Sequence, residues 1–135
     1  IRIKAHNRNA KRIAKWLAKN PLVNKVYYPG LKSNPSYKLA KKQMNGFTGM
    51  LSFELKESIN SEKFLNSLRL IKPSMSLAGV ESTILAPSKT SHALLGEEER
   101  KNQGISEGLL RLSVGIEDKK DLISDIKQAF EKSSI

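Results

Sequence analysis

Apolar and polar residues follow two periods along this chain, and the switches between them mark its elements. Ala10, Ile13, Ala14 and Leu17 recur at helical spacing with Trp16 beside them, while Lys and Arg fill the other face, so the opening stretch reads as an amphipathic helix. It should end near Asn20-Pro21, because proline holds the residue before it out of the helical region. Val23 to Tyr28 is rich in β-branched and aromatic residues and predicts a short strand, stopped by the Pro29-Gly30 turn. A loop with Asn34-Pro35 leads into a lysine-rich helix around Tyr37 to Met44, broken by Gly46. From Met50 to Leu55 the period falls to two: Leu51, Phe53 and Leu55 share one face, Ser52 and Glu54 the other, as in a half-buried strand.

Asn60 or Ser61 can cap a helix that buries Phe64, Leu65 and Leu68. Ile71 leads into KPSMSLAGVES, whose small residues read as loop, and Thr83 to Leu85 is a short strand candidate ending at Pro87. The polar stretch from Ser88 to Ile105 carries a helix over Glu97 to Asn102 and stops at Gly104. Gly108 and Gly115 bracket LLRLSV, with Leu110, Leu112 and Val114 on one face and Arg111 and Ser113 on the other. Asp118 with Asp121 resembles a capping box and opens a last helix whose stripe is Leu122, Ile123, Ile126, Ala129 and Phe130. Strands and helices mix without a strand–helix rhythm, so the expected fold class is α+β: a small, mostly antiparallel sheet covered by helices on one face.

Composition changes this picture little. One domain of 135 residues, 39% hydrophobic and 27% charged, can bury a core, and no apolar run is long enough to cross a membrane. The absence of Cys removes disulfides and thiolate chemistry, which suits a cytoplasmic location. The helix-like opening begins at Ile1 and not Met, which raises the expectation of a piece cut from a longer protein. Net charge is the loud signal, at +11. Nucleic acid or an anionic surface would fit it, but the basic residues run from Arg2 to Lys132, aromatics are few, and no nucleic-acid-binding signature is present. Nucleic acid is therefore kept only as the competing class of partner.

Chemistry-bearing motifs are sparse. His6 and His92 lie far apart without a second ligand at metal spacing, so no metal site is expected. No phosphate-binding glycine loop and no nucleophile–base set can be assembled. Arg111, on the polar face of a strand and bracketed by glycines, could present its planar fork to a carboxylate. A solvated strand arginine or a structural ion pair explains the spacing more simply. The run Ser74 to Ser82 is unusual for its small residues, which let a backbone pass close to a ligand, though an ordinary connection does the same.

Ordered motifs decide between these readings. NAKRIAKWLAKNPLVNKVYYPGL, AKKQMNGFTGMLSFEL, SLAGVEST, APSKTSHA, EEERKNQGIS and GLLRLSVGIEDKKDLISDIKQAF follow one another over essentially the whole chain. They resemble the C-terminal domain of the Cys/Met-metabolism pyridoxal-phosphate enzymes, the trans-sulfuration family of cystathionine β-lyase, γ-synthase and γ-lyase and methionine γ-lyase. The resemblance implies the small domain of a fold-type I enzyme, spanning residues 1–135 and beginning within the interdomain helix. It implies that Arg111 of the LLRLSVG motif binds the substrate α-carboxylate, and that Ser76 and Leu77, opening SLAGVES, lie beside the catalytic lysine and help hold the substrate. Ser91 matches the threonine of the family's M-T-H-A stretch, while Thr90 replaces its methionine.

The resemblance also implies what the chain lacks. The lysine that bears pyridoxal 5'-phosphate, and the groups that cradle its phosphate and pair with its ring nitrogen, belong to a large domain, so no catalytic residue is expected here and the piece alone should be inactive. A sulfur amino-acid substrate, the protein's own large domain and a homotetramer are the implied partners. Members acting at Cγ of cystathionine commonly carry Glu where this chain has Met75, which tilts the reading toward β-elimination of cystathionine, to homocysteine, pyruvate and ammonia. Structurally, Arg111 and Ser76 should then lie near one another at one edge of the domain, and the first helix should keep an exposed apolar surface for the rest of the protein.

Overall fold

The computed structural model describes all residues from Ile1 to Ile135. Helix α1 (Arg2–Leu17) leads to strand β1 (Val23–Tyr27), helix α2 (Tyr37–Gln43) and strand β2 (Met50–Leu55). Helix α3 (Ser61–Ser67), strands β3 (Lys72–Pro73) and β4 (Thr83–Leu85), helix α4 (Glu97–Asn102), strand β5 (Leu109–Ser113) and helix α5 (Lys119–Ser133) complete the chain. The five strands form one sheet in the order β1-β2-β5-β4-β3. Every pairing is antiparallel except β3 with β4.

The alternation seen in the sequence sorts the two faces of this sheet. Leu51, Phe53, Leu55, Leu110, Leu112 and Ile84 point to one side, where they bury against Ala10, Ile13, Ala14 and Leu17 of α1, Phe64 of α3 and Leu122, Ile126, Ala129 and Phe130 of α5. Phe64 sits at the centre, its ring 4.9 Å from that of Phe130 and 6.3 Å from that of Phe53. The other face of the sheet takes the second set of residues, Arg111 and Ser113 among them.

Three expectations need adjusting. Lys72-Pro73 is not loop but a two-residue strand at the sheet edge, a place where proline's missing N–H does no harm; two residues are too few to show a period. Asp118 does cap α5, but it accepts from the Lys120 N–H at 2.7 Å, one position short of a capping box. The apolar stripe of α1 is covered by this chain's own sheet and α5, so the exposed apolar surface expected along that helix is confined to Ile1 and Ile3 at its first turn.

Asp125 shapes the path toward the polar face. Buried in α5, its carboxylate accepts the backbone N–H groups of Arg69 at 2.8 Å, Leu70 at 2.9 Å and Ile71 at 2.8 Å, turning the chain from α3 into β3. Gln128 fastens the same place, donating to Asp125 Oδ1 and to the Ser67 carbonyl. Tyr28 does a similar service at the other end of the sheet, where its buried hydroxyl donates to the Thr48 carbonyl at 3.1 Å. Burial pushes its phenol up to about 12.

Asp125→Ala should destabilise the domain by about 3 kcal/mol, since charge-assisted bonds are lost and buried donors are left unmet, as a urea titration would read. The raised Tyr28 phenol binds its proton more tightly folded than unfolded. Its contribution to stability is therefore complete below the ordinary tyrosine range near about 10 and is lost as pH climbs toward the folded value. An ultraviolet phenolate titration should show a component near about 12 that vanishes in Tyr28→Phe.

Candidate substrate-carboxylate site

Arg111 lies mid-strand in β5, opposite Ser52 of β2 on one side and Leu85 of β4 on the other. Two residues on, Ser113 faces Thr83 across the β4–β5 pair. The pleat sends all four side chains of Arg111, Ser113, Thr83 and Ser52 off the face away from the helices. Across that face runs the connection from β3 to β4, residues 74 to 82, which contains three of the residues singled out from the sequence.

Each stretch of this connection is tied to the sheet. The Ser74 N–H donates to the Ile84 carbonyl and the Ser76 N–H to Ser74 Oγ. Thr83 Oγ1 donates to the Ser76 carbonyl at 2.7 Å, and the Ala78 N–H donates to Ser113 Oγ at 2.9 Å. Arg2 reaches back from α1 to donate to the Ala78 carbonyl at 3.0 Å. Ala78 is held with φ at +59°, the left-handed region that residues with a Cβ rarely occupy.

The far end is fastened more tightly. The Glu117 carboxylate accepts both the N–H and the hydroxyl of Ser82, at 2.8 and 2.9 Å, and Ser82 Oγ accepts the Gly115 N–H at 2.8 Å. Asn9 of α1 donates to the Gly115 and Glu117 carbonyls. His6 Nδ1 lies 2.6 Å from the Val114 carbonyl; the carbonyl can only accept, so this nitrogen carries the proton. His6 and Asn9, the two buried polar residues of α1, are thus structural partners of the backbone that follows β5.

The geometry brings Arg111, Ser76, Leu77 and Met75 together. Arg111 Nη2 lies 3.4 Å from the Met75 carbonyl, a long contact that leaves most of its fork open. The chain's ion pairs join Lys89 to Glu62, Arg100 to Glu107 and Lys101 to Glu97, so Arg111 is not the structural ion-pair partner that its spacing allowed. The Ser76 hydroxyl and the Leu77 N–H find no partner within the chain. Met75 and Leu77 expose 64% and 53% of their surface, which leaves an open apolar rim beside these donors. Ser91 is not drawn in: its hydroxyl pairs with His92 Nδ1 at 2.8 Å, in the turns that follow a 3₁₀ turn at Pro87–Lys89.

Sequence reading gives Ser113, Thr83, Ser82 and Glu117 no role in the site, because a hydroxyl or carboxylate committed to a distant group leaves no local pattern. Gly115 was noticed only as a bracket. Its true signal is steric, since a Cβ there would lie 2.2 Å from the Val80 carbonyl oxygen. The basic surplus is also less even than its spread suggests. Arg8, Lys11, Arg12 and Lys15 of α1 gather with Lys119 around one shallow surface depression.

A five-stranded, mostly antiparallel sheet with helices on one face and a strand-borne arginine on the other matches the C-terminal domain of fold-type I PLP enzymes. Cystathionine γ-lyase from Lactobacillus plantarum, solved in complex with L-serine, superposes with a TM-score of 0.93 at 40% identity, over 98% of this chain and 35% of that one. The family model for Cys/Met metabolism PLP-dependent enzymes matches residues 1–131, and the chain belongs to that family. Cystathionine β-lyase of Lactococcus lactis subsp. cremoris (strain MG1363) is 47% identical over 132 residues, 98% of this chain and 35% of its own. Cystathionine γ-lyase of Dictyostelium discoideum is 48% identical over 133 residues, 98% of this chain and 34% of its own. The chain thus spans about a third of the length of these relatives. No helix is long and apolar enough to cross a membrane.

Gly115→Ala should lift the connection off the sheet, because the oxygen it meets is backbone and cannot swing aside. Amide exchange across residues 76–82 should rise sharply while that of β2 stays slow. Equal protection in the two proteins would show that the contact does not hold the connection.

Proposed function

We propose that this chain is the substrate-gripping C-terminal domain of a PLP-dependent carbon–sulfur lyase whose reaction is β-elimination of cystathionine, yielding homocysteine, pyruvate and ammonia. One observation carries the reading: an arginine free of any carboxylate partner stands beside an unengaged hydroxyl and an unengaged backbone N–H.

These groups suit a substrate carboxylate and not the cofactor itself. All three are donors, matching two carboxylate oxygens, whereas the cofactor's phosphate calls for a cradle of backbone N–H groups and its carbonyl carbon for an amine. Those partners are assigned to a larger domain, and on this reading the chain by itself turns over nothing. When bound, PLP supplies an electron sink for the charge that develops at the substrate α-carbon. The work of this chain is orientation. Arg111 takes the α-carboxylate in its planar fork, Leu77 N–H and Ser76 Oγ fix the remaining lone pairs, and the α-carbon is held in a single attitude to the ring.

Relatives named for β- and for γ-elimination are about equally similar to the chain, so overall identity does not separate the reactions. Met75 supports the β reading. Exposed at the rim and apolar, it offers no carboxylate to the distal ammonium of a long substrate. Ser91 is carried as a further substrate-binding residue of the same reading, although in this chain its hydroxyl pairs with His92. The enzyme is proposed to work in the cytoplasm as a homotetramer, in which the exposed Ile1, Ile3 and Leu94 would be covered.

In the full-length enzyme, Arg111→Lys should lower kcat/KM for cystathionine by about 100-fold or more, because a point charge cannot reproduce the two-pronged grip. Pyruvate should be the keto acid formed, with cysteine and methionine as poorer substrates. A keto acid one carbon longer would move the assignment to γ-elimination. Full activity in Arg111→Lys would remove the clamp.

A further inference from the structure

Thr83 and Ser113 sit opposite one another on β4 and β5, exposing only 4% and 3% of their residue surface, and both hydroxyls are spent on the same short piece of loop. Thr83 Oγ1 donates to the carbonyl of Ser76, and Ser113 Oγ accepts from the N–H of Ala78. The two peptide groups they hold are those on either side of Leu77.

A trans peptide is planar, with its carbonyl and N–H pointing opposite ways. With the Ser76 carbonyl drawn down to Thr83, the N–H of Leu77 in the same peptide is turned away from the sheet. With the Ala78 N–H drawn down to Ser113, the carbonyl of Leu77 is turned away as well. The left-handed backbone at Ala78, φ +59°, turns the chain immediately after the second of these peptides. The outward N–H therefore results from the two hydroxyls beneath it and not from the identity of Leu77. Arg111 leaves the same face of the sheet two residues before Ser113, and its guanidinium touches the loop at the Met75 carbonyl. The donor and the cation are thus referenced to the same pair of strands.

We infer that Thr83 and Ser113 are positioning residues for the carboxylate site, acting by aiming the Leu77 N–H at the ligand that Arg111 grips. The inference rests on the carboxylate reading of Arg111 and deepens it. Neither hydroxyl touches the ligand. A preset donor need not be reoriented on binding, so the benefit appears in affinity and its loss should leave turnover at saturation nearly intact.

The test uses the full-length, cofactor-loaded enzyme and glycine, an amino acid with a carboxylate but no leaving group, bound at equilibrium. Thr83→Val and Ser113→Ala should each weaken glycine about tenfold, the scale of one well-made hydrogen bond to a charged group. KM for the sulfur substrate should rise in parallel, kcat should change less than about threefold, and amide exchange at residues 76–78 should quicken in both variants. Thr83→Ser, which keeps the hydroxyl, should restore affinity and slow exchange. If both hydroxyl-deleting variants bind glycine normally while Arg111→Lys does not, this inference fails and the clamp stands. If Arg111→Lys also binds glycine normally, the clamp reading fails and takes the inference with it.

Discussion

The α-carbon of Gly115 and the carbonyl of Val80 come so close that no side chain fits between them, and the site is built outward from that contact. It lets the connection between β3 and β4 lie flat on the sheet instead of arching into solvent. Once it lies flat, Ser82 can bridge the Gly115 N–H to the Glu117 carboxylate, and Asn9 can reach the carbonyls on the other side. Every later feature of the loop inherits its height above the strands from this junction. Glycine is needed here for closeness, since any larger residue would meet backbone atoms that have nowhere to go.

The same junction explains why the helical layer and the candidate site share one architecture. α1 gives its apolar stripe to the core, yet its buried polar residues His6 and Asn9 turn to the backbone that follows β5. α5 is capped by Asp118, directly after Glu117, and through Asp125 it also anchors the turn that feeds β3. Both ends of the loop are thus held by helices packed on the opposite face of the sheet. A hydrophobic core on one side and a set of committed polar groups on the other work as one support. That support sets Arg111 and the loop beside it in one frame.

The elements were largely legible in the sequence because each carries a period long enough to see. β2 and β5 alternate cleanly, and α1 and α5 repeat their apolar residues each turn. β3 was not legible, because two residues have no period. Arg111 was visible only as one strand arginine among many cations until the motifs around it were read together. The structure adds that it is free of carboxylates and lies within reach of the Ser76–Leu77 turn. Ser113 and Thr83 could not be read as members of the site at all. Their partners lie 35 and 7 residues away along the chain, and nothing local distinguishes a hydroxyl that holds a loop from one that faces water.

A structure of the full-length enzyme with glycine bound tests the central claim most directly. The account predicts both carboxylate oxygens against the Arg111 guanidinium, at about 2.7–2.9 Å, with the Leu77 N–H on one of them. A carboxylate seated elsewhere, with Arg111 turned to solvent or paired to an acidic side chain, would contradict it.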